Sequence, residues 1–505
     1  MILSRYNLKN ILPEKASLPD ESVFELPEKV LQFGTGVLLR GLPDYFIDKA
    51  NRAGIFNGRV VVVKSTNSGD TNAFDRQDGL YTICVRGLEN GTRHEENIVN
   101  ASISRVLSAS TDWDKILECA HNPQLQIIIS NTTEVGIQLV PDDIRKHPPV
   151  SYPGKLLSFL FERYQAFGGS EQSGMVIIPT ELIPDNGKKL ESIVLELAHL
   201  NGLDDAFIEW LEHKNHFCSS LVDRIVPGRP DKSFQLAIEE ELGYHDDLLT
   251  VAETYRLWAI EGNEKIKAIL SFAQADEGVK VEPNIDLYRE LKLRLLNGTH
   301  TLSCCPAFLA NCETVKQAMD DELISTFISE LMLSELAPAI PYNVDPETAK
   351  AFGAKVLDRF RNPHIQHFWL SITMQVSSKM KLRNIPILLK HYRESNDVPI
   401  LFALGFAAYL YFMKAAKQEN GQYFGRIKDQ FYKIQDDMAA EFYKRWNNLQ
   451  PAKLVEVVLK DKAFWGEDLS GLPGFSAAVQ EQLDLILNAG IREAIEPVLQ
   501  KKIAV

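Results

Sequence analysis

Three residues with side chains suited to catalysis follow one another closely in the sequence: Lys292, Asn297 and His300. On an α-helix they would fall within roughly 140° of arc. Oxidation of a secondary alcohol requires a base for the hydroxyl proton and donors for the developing alkoxide. A lysine can be that base where burial or nearby cations lower its pKa, an asparagine amide can donate to the oxygen, and a histidine can orient the lysine or a substrate hydroxyl. The spacing therefore predicts a catalytic cluster, with a solvated lysine and an Asn-Gly turn as the alternative.

A glycine-rich turn follows the first apolar run of the chain. The strand predicted at residues 29–33 leads directly into Gly34-Thr35-Gly36, and a helical segment through Gly41 comes next. A dinucleotide pyrophosphate requires this order, because glycines let the backbone approach the phosphates and the helix offers its first amides. The third glycine comes late for the usual fingerprint, so a tight turn without a ligand is the alternative. We predict that Phe33, Gly34, Thr35 and Gly36 contact a dinucleotide.

The ends of two further predicted strands supply the remaining candidates for the cofactor. The strand at residues 59–64 ends in Lys64-Ser65, without the acidic residue that usually binds the ribose of NAD. Either residue could receive a 2′-phosphate instead, so the residues leave both NAD and NADP open. The strand at residues 125–130 is followed by Asn131, Thr132 and Glu134, which would lie beside the ribose and the nicotinamide. An ordinary capped loop is the alternative there.

The chain divides into two halves with different periodicity. Up to about residue 283, short apolar runs alternate with helical segments, which is typical of a mainly parallel sheet covered on both faces. Beyond it the pattern is helical, with a good helix start at Asp345-Pro346-Glu347. We therefore predict an α/β Rossmann-like N-terminal domain over residues 1–283 and an all-α C-terminal domain over residues 284–505.

Composition limits the kinds of partner that the protein can have. The 505 residues carry a formal charge of −14, which argues against a nucleic-acid partner but leaves room for one cationic pocket that binds an anionic small molecule. The six cysteines form no Cys-x-x-Cys pair, no signal-peptide core is present, and the longest apolar run is too short for a membrane helix. We predict a cytoplasmic protein without a membrane partner, either a monomer or a homodimer.

The spacing of the histidines does not predict a zinc site. The two closely spaced pairs, His213 with His216 and His364 with His367, lack the ligand spacing of a zinc site. We predict that both pairs are surface or cap residues and that the protein works without a metal.

The segment around Lys292 resembles the Lys-x4-Asn-x2-His signature of the polyol-specific long-chain dehydrogenases, the mannitol dehydrogenase family. Further stretches carry the same resemblance in order: Gln-Phe-Gly-Thr-Gly at 32–36, Gln-Asp-Gly-Leu-Tyr-Thr at 77–82, Ser-Asn-Thr-Thr-Glu at 130–134 and Ser-Leu-Val-Asp-Arg-Ile-Val-Pro at 220–227. The likeness spans residues 30 to 385 and is weaker beyond them. Several ordered motifs are far more specific than any one of them.

The resemblance implies roles for further residues. It implies that Lys292 is the general base of a zinc-free enzyme and that Asn186, together with Asn297, donates to the alkoxide. It also implies that Lys379 binds the substrate, and we include Lys381 because the carboxylate of a sugar acid requires cations. A plain turn is the alternative for Asn186, and a solvated helix face is the alternative for the two lysines.

Two positions depart from the mannitol-type members of the family. Arg289, with Glu290 beside it, stands where those members carry a glutamate of a proposed proton path, and Ser371 stands where they carry an arginine. The first departure leaves the proton route of the family open, whereas the second favours the sugar-acid branch over a neutral polyol. The stretches quoted above most resemble the branch of the family that acts on tagaturonate, and that branch is associated with NAD. The resemblance therefore implies interconversion of D-altronate and D-tagaturonate with NAD(H) in hexuronate breakdown. The open alternatives are a fructuronate reductase, a mannitol-type polyol dehydrogenase and a nucleotide-binding sensor without activity.

Overall fold

The chain folds as two compact units, seen in a computed structural model that describes residues 1–66, 71–132 and 136–503. The first unit comprises Met1–Gly87 and Arg93–Ile285, and the second comprises Leu88–Thr92 and Asp286–Val505. The predicted domain boundary after residue 283 stays a prediction, because a domain is defined by folding alone as well as by compactness.

Twelve strands lie between residues 28 and 282 in the described part of the chain. They are β1 (Glu28–Phe33), β2 (Arg59–Lys64), β3 (Tyr81–Glu89), β4 (Thr92–Asn100), β5 (Ile103–Ser108), β6 (Ile127–Ser130), β7 (Val176–Pro179), β8 (His216–Phe217), β9 (Ser220–Asp223), β10 (Thr250–Glu253), β11 (Leu257–Glu261) and β12 (Val279–Glu282). Six of them form a parallel sheet in the order β5-β2-β1-β6-β7-β8. Two smaller sheets have the orders β10-β3-β4 and β12-β11-β9.

Apolar cores cover both faces of the parallel sheet. Along β1, Val30 belongs to one buried core, whereas Leu31 and Phe33 belong to another. This alternation follows from the two-residue period of a strand. The prediction of a Rossmann-like sheet is confirmed. The helices of this unit are α1 (Val37–Gly41), α2 (Pro43–Arg52), α3 (Asn72–Arg76), α4 (Trp113–Glu118), α5 (Tyr152–Phe167), α6 (Asn186–Leu200), α7 (Asp205–Lys214), α8 (Lys232–Leu242) and α9 (Glu264–Ile269).

The late glycine of the glycine-rich turn has a packing function. A Cβ added at Gly41 would lie 2.8 Å from both Cγ atoms of Val226. Arg224 donates from Nη1 to the carbonyl of Gly41 at 2.7 Å. The stretch at residues 220–227 therefore fixes the end of α1, and Gly41 is small because this stretch packs against it.

The second unit is rich in helices, as expected. They are α10 (Asp286–Leu291), α11 (Thr299–Leu309), α12 (Val315–Asp320), α13 (Glu322–Glu330), α14 (Pro346–Phe360), α15 (Trp369–Ile372), α16 (Val376–Lys379), α17 (Ile385–Glu394), α18 (Ile400–Phe412), α19 (Ala439–Asn448), α20 (Pro451–Leu459), α21 (Lys462–Trp465), α22 (Phe475–Asn488) and α23 (Ile491–Ile503). Asp345 caps α14 by accepting from the backbone N–H of Thr348 at 2.9 Å. No helix in the described ranges is both long and apolar enough to cross a membrane.

A small antiparallel sheet in this unit departs from the all-α expectation. Its strands β13 (Lys417–Glu419), β14 (Gln422–Ile427) and β15 (Gln430–Ile434) form a meander. The first turn consists of Asn420 and Gly421, with φ of 51° and 74°. Asn-Gly is the strongest short hairpin signal, so the sequence did carry a local sign of this element.

Three stretches of π-helix interrupt the helices of the second unit, at Lys292–Gly298, Leu331–Leu336 and Met380–Asn384. A π-helix bonds residue i to residue i+5 and usually occurs as a single turn, often at a functional site. The first stretch joins α10 to α11, and the third joins α16 to α17. We refer to these two as the first and second π-turns.

Side chains on each of the two π-turns bond the backbone of the other. Arg294 of the first donates from Nη1 to the carbonyls of Leu382 and Arg383, at 2.7 and 2.8 Å. Asn384 of the second donates from Nδ2 to the carbonyl of Gly298 at 3.0 Å. Because a π-turn disturbs the regular helical ladder, its carbonyls need partners from outside the helix. These reciprocal bonds hold the two segments together.

Replacing the buried Asn384 by alanine removes the donor that the Gly298 carbonyl uses. We expect Asn384→Ala to destabilise the first π-turn by about 1–3 kcal/mol, because a buried carbonyl loses its partner. Faster amide hydrogen exchange in residues 292–298 would report this local opening. The control is Asn448→Ala, since exposed Asn448 makes the same kind of bond, to the carbonyl of Lys444 at 2.8 Å. Unchanged exchange in the Asn384 variant would contradict the expectation.

Candidate active site

The helical segment that carries Lys292, Asn297 and His300 has a different geometry from the α-helix assumed in the sequence analysis. Lys292 and Asn297 both belong to the first π-turn and are five residues apart. Since a π-helix stacks residue i+5 over residue i, the two side chains lie closer in direction than an α-helix would place them. Both are half-buried, and the Asn297 amide makes no hydrogen bond to another described residue. The carbonyl of Asn297 accepts from the Thr301 hydroxyl at 2.8 Å.

His300 is buried among aromatic rings at the start of α11. Its ring stacks on Phe360 with the centroids 4.2 Å apart, and the edge of His367 lies at 5.1 Å. Burial holds the pKa of His300 well below its usual range, and the neighbouring basic groups, with His367 the largest contributor among them, lower it further. The imidazole is therefore neutral near pH 7. Its Nε2 is buried and has no hydrogen-bond partner among the described residues.

Three cations contribute to the field at His300: Arg359, Lys379 and Arg383. Lys379 donates from Nζ to the carbonyl of Ile372 at 3.0 Å. Arg383 donates from Nη1 to the Thr301 hydroxyl at 3.1 Å and to the Asn297 carbonyl at 3.4 Å. The predicted Lys379 is thus near enough to His300 for its charge to lower the pKa of the imidazole. We refer to Arg359, Lys379 and Arg383 as the cationic cluster.

Arg359 and Arg383 were not among the predicted site residues, and the prediction for His367 was wrong. We expected His367 to be a surface or cap residue, but it is half-buried beside His300, and burial lowers its pKa. The available signal for Arg383 was its position four residues after Lys379, one helical turn away. The contact of His367 with His300 is between distant parts of the chain, so spacing could not reveal it.

Lys381 contacts an aromatic ring of α21. Its Nζ sits 5.4 Å from the centre of the Phe464 ring, a cation–π contact. Its predicted contact with the substrate stays a prediction.

The acidic neighbours of Lys292 are engaged in structural ion pairs. Arg289 pairs with Asp286 one turn before it on α10. Glu290 accepts from Nε of Arg294 at 2.8 Å. Because Arg294 also bonds the second π-turn, Glu290 supports that connection.

In the first unit, the glycine-rich turn presents open backbone. Gly34 has a φ of +130°, and a Cβ added there would lie 2.9 Å from Cδ1 of Leu39 and 3.0 Å from the Asn131 carbonyl. A Cβ added at Gly36 would meet nothing within 4 Å, and Gly36 precedes α1 without a capping side chain. Thr35 is half-buried between them. The residues present therefore fit a pyrophosphate that approaches bare backbone.

The residue before the turn contributes differently from the glycines. The Phe33 side chain is fully buried and packs 5.2 Å from the ring of Tyr152. Only its backbone is available at the turn, where its carbonyl accepts from the N–H of Asn131 at 3.1 Å.

Gln32 links the glycine-rich turn to α2 by hydrogen bonds. It donates to the Gly34 carbonyl at 3.4 Å and to the Asp44 carboxyl at 3.2 Å. Burial raises the pKa of Asp44 to about 7.

The ends of β2, β6 and β7 form the edge of the sheet next to this turn. Lys64 donates to the carbonyl of Thr66, whereas the buried Ser65 hydroxyl has no partner among the described residues. Asn131 donates to the Thr180 hydroxyl at 3.0 Å, and the N–H of Thr132 donates to buried Glu181 at 2.8 Å. Glu134, also predicted to contact the cofactor, lies outside the described residues.

Asn186 has a structural function at the end of β7. Its Nδ2 donates to the carbonyls of Pro179, Glu181 and Ser220 at 3.0–3.1 Å, and its Oδ1 accepts from the N–H of Gly187 and of Ser220. Both amide hydrogens are thus used by backbone carbonyls. Its role as an alkoxide donor stays a prediction that would require these bonds to break. No group of three or more His, Cys, Asp or Glu side chains in the described ranges could hold a metal ion.

Comparison with known proteins covers both units. The Mannitol dehydrogenase Rossmann domain matches residues 28–271, and the Mannitol dehydrogenase C-terminal domain matches residues 284–487. An altronate oxidoreductase of Bacillus subtilis is 38% identical over 94% of this chain and 95% of its own. One from Halalkalibacterium halodurans is 37% identical over 94% of each chain.

Solved structures share the fold at lower identity. Mannitol 2-dehydrogenase of Pseudomonas fluorescens, solved with NAD and D-mannitol, matches 99% of this chain and 100% of its own with a TM-score of 0.64 and 20% identity. A D-sorbitol dehydrogenase matches 98% of this chain and 100% of its own with a TM-score of 0.75 and 18% identity. On the two matched domains and the identity to its relatives, the chain belongs to the mannitol dehydrogenase family and is a dehydrogenase.

Proposed function

We propose that this enzyme interconverts D-altronate and D-tagaturonate with NAD(H) in hexuronate breakdown. The observation that carries the proposal is the cationic cluster beside the helical segment of Lys292, Asn297 and His300. A sugar acid brings a carboxylate that such cations bind, whereas a neutral polyol does not. The relatives named altronate oxidoreductase support the same substrate.

Each residue of the segment has a distinct task in the proposed reaction. The amine of Lys292 takes the proton of the substrate hydroxyl as the alcohol becomes a ketone. Asn297 donates its amide hydrogens, which no other described residue uses, to the developing alkoxide. Neutral His300 orients the hydroxyl or Lys292 through its Nε2, which bonds no described residue. A bound nicotinamide would supply the acceptor for the hydride.

We propose that the glycine-rich turn of the first unit binds the pyrophosphate of NAD. The choice of NAD rests on the sugar-acid branch that the sequence resembles and on Lys64, whose ammonium is already bonded to Thr66. A 2′-phosphate would have to compete with that carbonyl. We also propose that the enzyme is cytoplasmic, works without a metal and binds neither nucleic acid nor membranes.

Side-by-side rates test the substrate and the cofactor. Purified enzyme is mixed with NADH or NADPH and with tagaturonate, fructuronate or fructose, and the loss of absorbance of the reduced cofactor is followed. We expect tagaturonate with NADH to give the highest kcat/KM. Preference for fructuronate would identify a fructuronate reductase, preference for fructose a polyol dehydrogenase, and no turnover with any of them a sensor.

Removing the proposed base tests the mechanism. We expect Lys292→Ala to lower kcat with tagaturonate by about 10²–10⁴-fold, which is the usual contribution of general acid–base catalysis. Thermal unfolding checks that the variant is folded. The control is Lys350→Ala, which removes an exposed lysine paired with Glu347 on α14. Near-normal turnover of Lys292→Ala would rule out this assignment.

A methyl group on the glycine-rich turn tests the cofactor site. Gly36→Ala meets no neighbour, so we expect an unchanged melting temperature. The methyl would stand where the pyrophosphate approaches the backbone, so the KM for NADH should rise by about tenfold or more. Gly471→Ala, also without a neighbour within 4 Å, is the control in the other unit. An unchanged KM for NADH in the Gly36 variant would place the pyrophosphate elsewhere.

A further inference from the structure

Arg383 is a half-buried cation that makes no ion pair with a carboxylate in the part of the chain that the structure describes. One nitrogen of its guanidinium, Nη1, bonds the Thr301 hydroxyl and the Asn297 carbonyl. Nε and Nη2 have no hydrogen-bond partner among the described residues, and no carboxylate of those residues forms an ion pair with the guanidinium. The edge of the guanidinium formed by Nε and Nη2 is the one that binds a carboxylate in a two-point fork.

Lys379 places a second positive charge one turn away on the same segment. Its Nζ bonds only the neutral carbonyl of Ile372 among the described residues. The acid that acts on it, Asp436, is itself committed to the N–H groups of Ser377 at 2.8 Å and Met438 at 2.9 Å. Like charges four residues apart on a helix destabilise it. The repulsion between Lys379 and Arg383 therefore has an energetic cost that the charge of Asp436 offsets only in part.

Burial makes this cost larger. Loss of hydration lowers the pKa of both groups, and the charge of Arg383 lowers the pKa of Lys379 further. Both charges also act on His300, whose ring is held in place by Phe360. An anion between the two cations would remove the repulsion and replace the lost hydration.

The hydrogen bonds of Arg383 fix where that anion would lie. Thr301 and Asn297 belong to the segment that also carries Lys292 and His300. A carboxylate bound by the free edge of Arg383 would therefore sit beside the groups proposed to act on the alcohol. In the sugar acid, this carboxylate stands at one end of the carbon chain, and the carbon that becomes the ketone lies near the other end.

We propose that Arg383, with Lys379 beside it, binds the carboxylate of the sugar acid and thereby makes the enzyme select acids over neutral sugars of the same length. The proposal rests on the proposed function, because it assumes that the substrate acts at Lys292. It assigns to Arg383 a direct contact with the substrate that determines specificity. Its bonds to Thr301 and Asn297 hold the guanidinium in place for that contact.

The test compares an acid with its neutral counterpart. Wild type, Arg383→Gln and Arg383→Lys are assayed with NADH and either D-tagaturonate or D-tagatose, in which a hydroxymethyl group replaces the carboxylate. We expect Arg383→Gln to lower kcat/KM for tagaturonate by about tenfold to a hundredfold, mainly through KM, as is typical of a lost charged hydrogen bond. The kcat/KM for tagatose should change by less than about threefold. Arg383→Lys should recover part of the loss.

Stability without substrate separates this function from a structural one. Gln can keep a bond to Thr301 or Asn297 while removing the uncompensated charge, so we expect Arg383→Gln to melt at the same temperature as wild type or higher. Arg426→Gln, on the exposed β14 and paired with Asp429, is the control and should change neither kinetics nor selectivity. A lower melting temperature with equal losses for both sugars would overturn the proposal, since a structural arginine would give that result.

The outcomes also distinguish this proposal from the proposed function. If wild type reduces tagaturonate and Arg383→Gln does so equally well, the proposed function stands and the assignment of Arg383 is wrong. If wild type prefers another uronate and Arg383→Gln loses selectivity for that acid, the proposed substrate is wrong and the assignment of Arg383 stands.

Discussion

The reciprocal hydrogen bonds between the two π-turns are the constraint on which the candidate active site depends. Lys292 and Asn297 belong to the first π-turn, and Arg383 belongs to the second. Arg294 and Asn384 satisfy carbonyls across the contact and so set the distance between the turns. Gly298 allows the approach, since a Cβ there would lie 3.2 Å from Nδ2 of Asn384. A shift of one segment would move the base and the cations together.

The charges of this region show a balance between stability and binding. The cationic cluster surrounds a neutral histidine, and two of its members lack an ion-pair partner in the described part of the chain. Such an arrangement is unfavourable in the free protein and favourable when an anion is present. Its chemistry therefore indicates a charged substrate more strongly than the acidic surface of the whole chain could, because solvent screens these partly buried cations less than it screens the surface charges.

Periodicity and local signals predicted much of the fold. The fully buried Val-Val-Val-Val run of β2, the capping Asp345 and the apolar α18 have local causes, so the sequence alone predicts them. The meander carried its signal in Asn420-Gly421, which the strong helical pattern around it concealed. The predicted sites of Lys292, Asn297, His300 and the glycine-rich turn came from spacing and from the family resemblance.

Tertiary contacts account for what the sequence did not predict. The π-turns depend on hydrogen bonds between residues far apart in the chain, such as Asn384 to Gly298. The positions of His367 and Arg359 near His300 depend on how helices pack, and the hydrogen bonds that occupy the amide of Asn186 depend on the meeting of β7 with β9. Local spacing in the sequence does not predict any of these contacts.

A crystal structure of the enzyme with NAD⁺ and D-altronate tests the central claim most directly. The account predicts that the substrate carboxylate accepts hydrogen bonds from the free edge of Arg383 and that the reacting hydroxyl lies within hydrogen-bond distance of Nζ of Lys292 and Nδ2 of Asn297. A carboxylate bound away from the cationic cluster, or a reacting hydroxyl out of reach of Lys292, would contradict it.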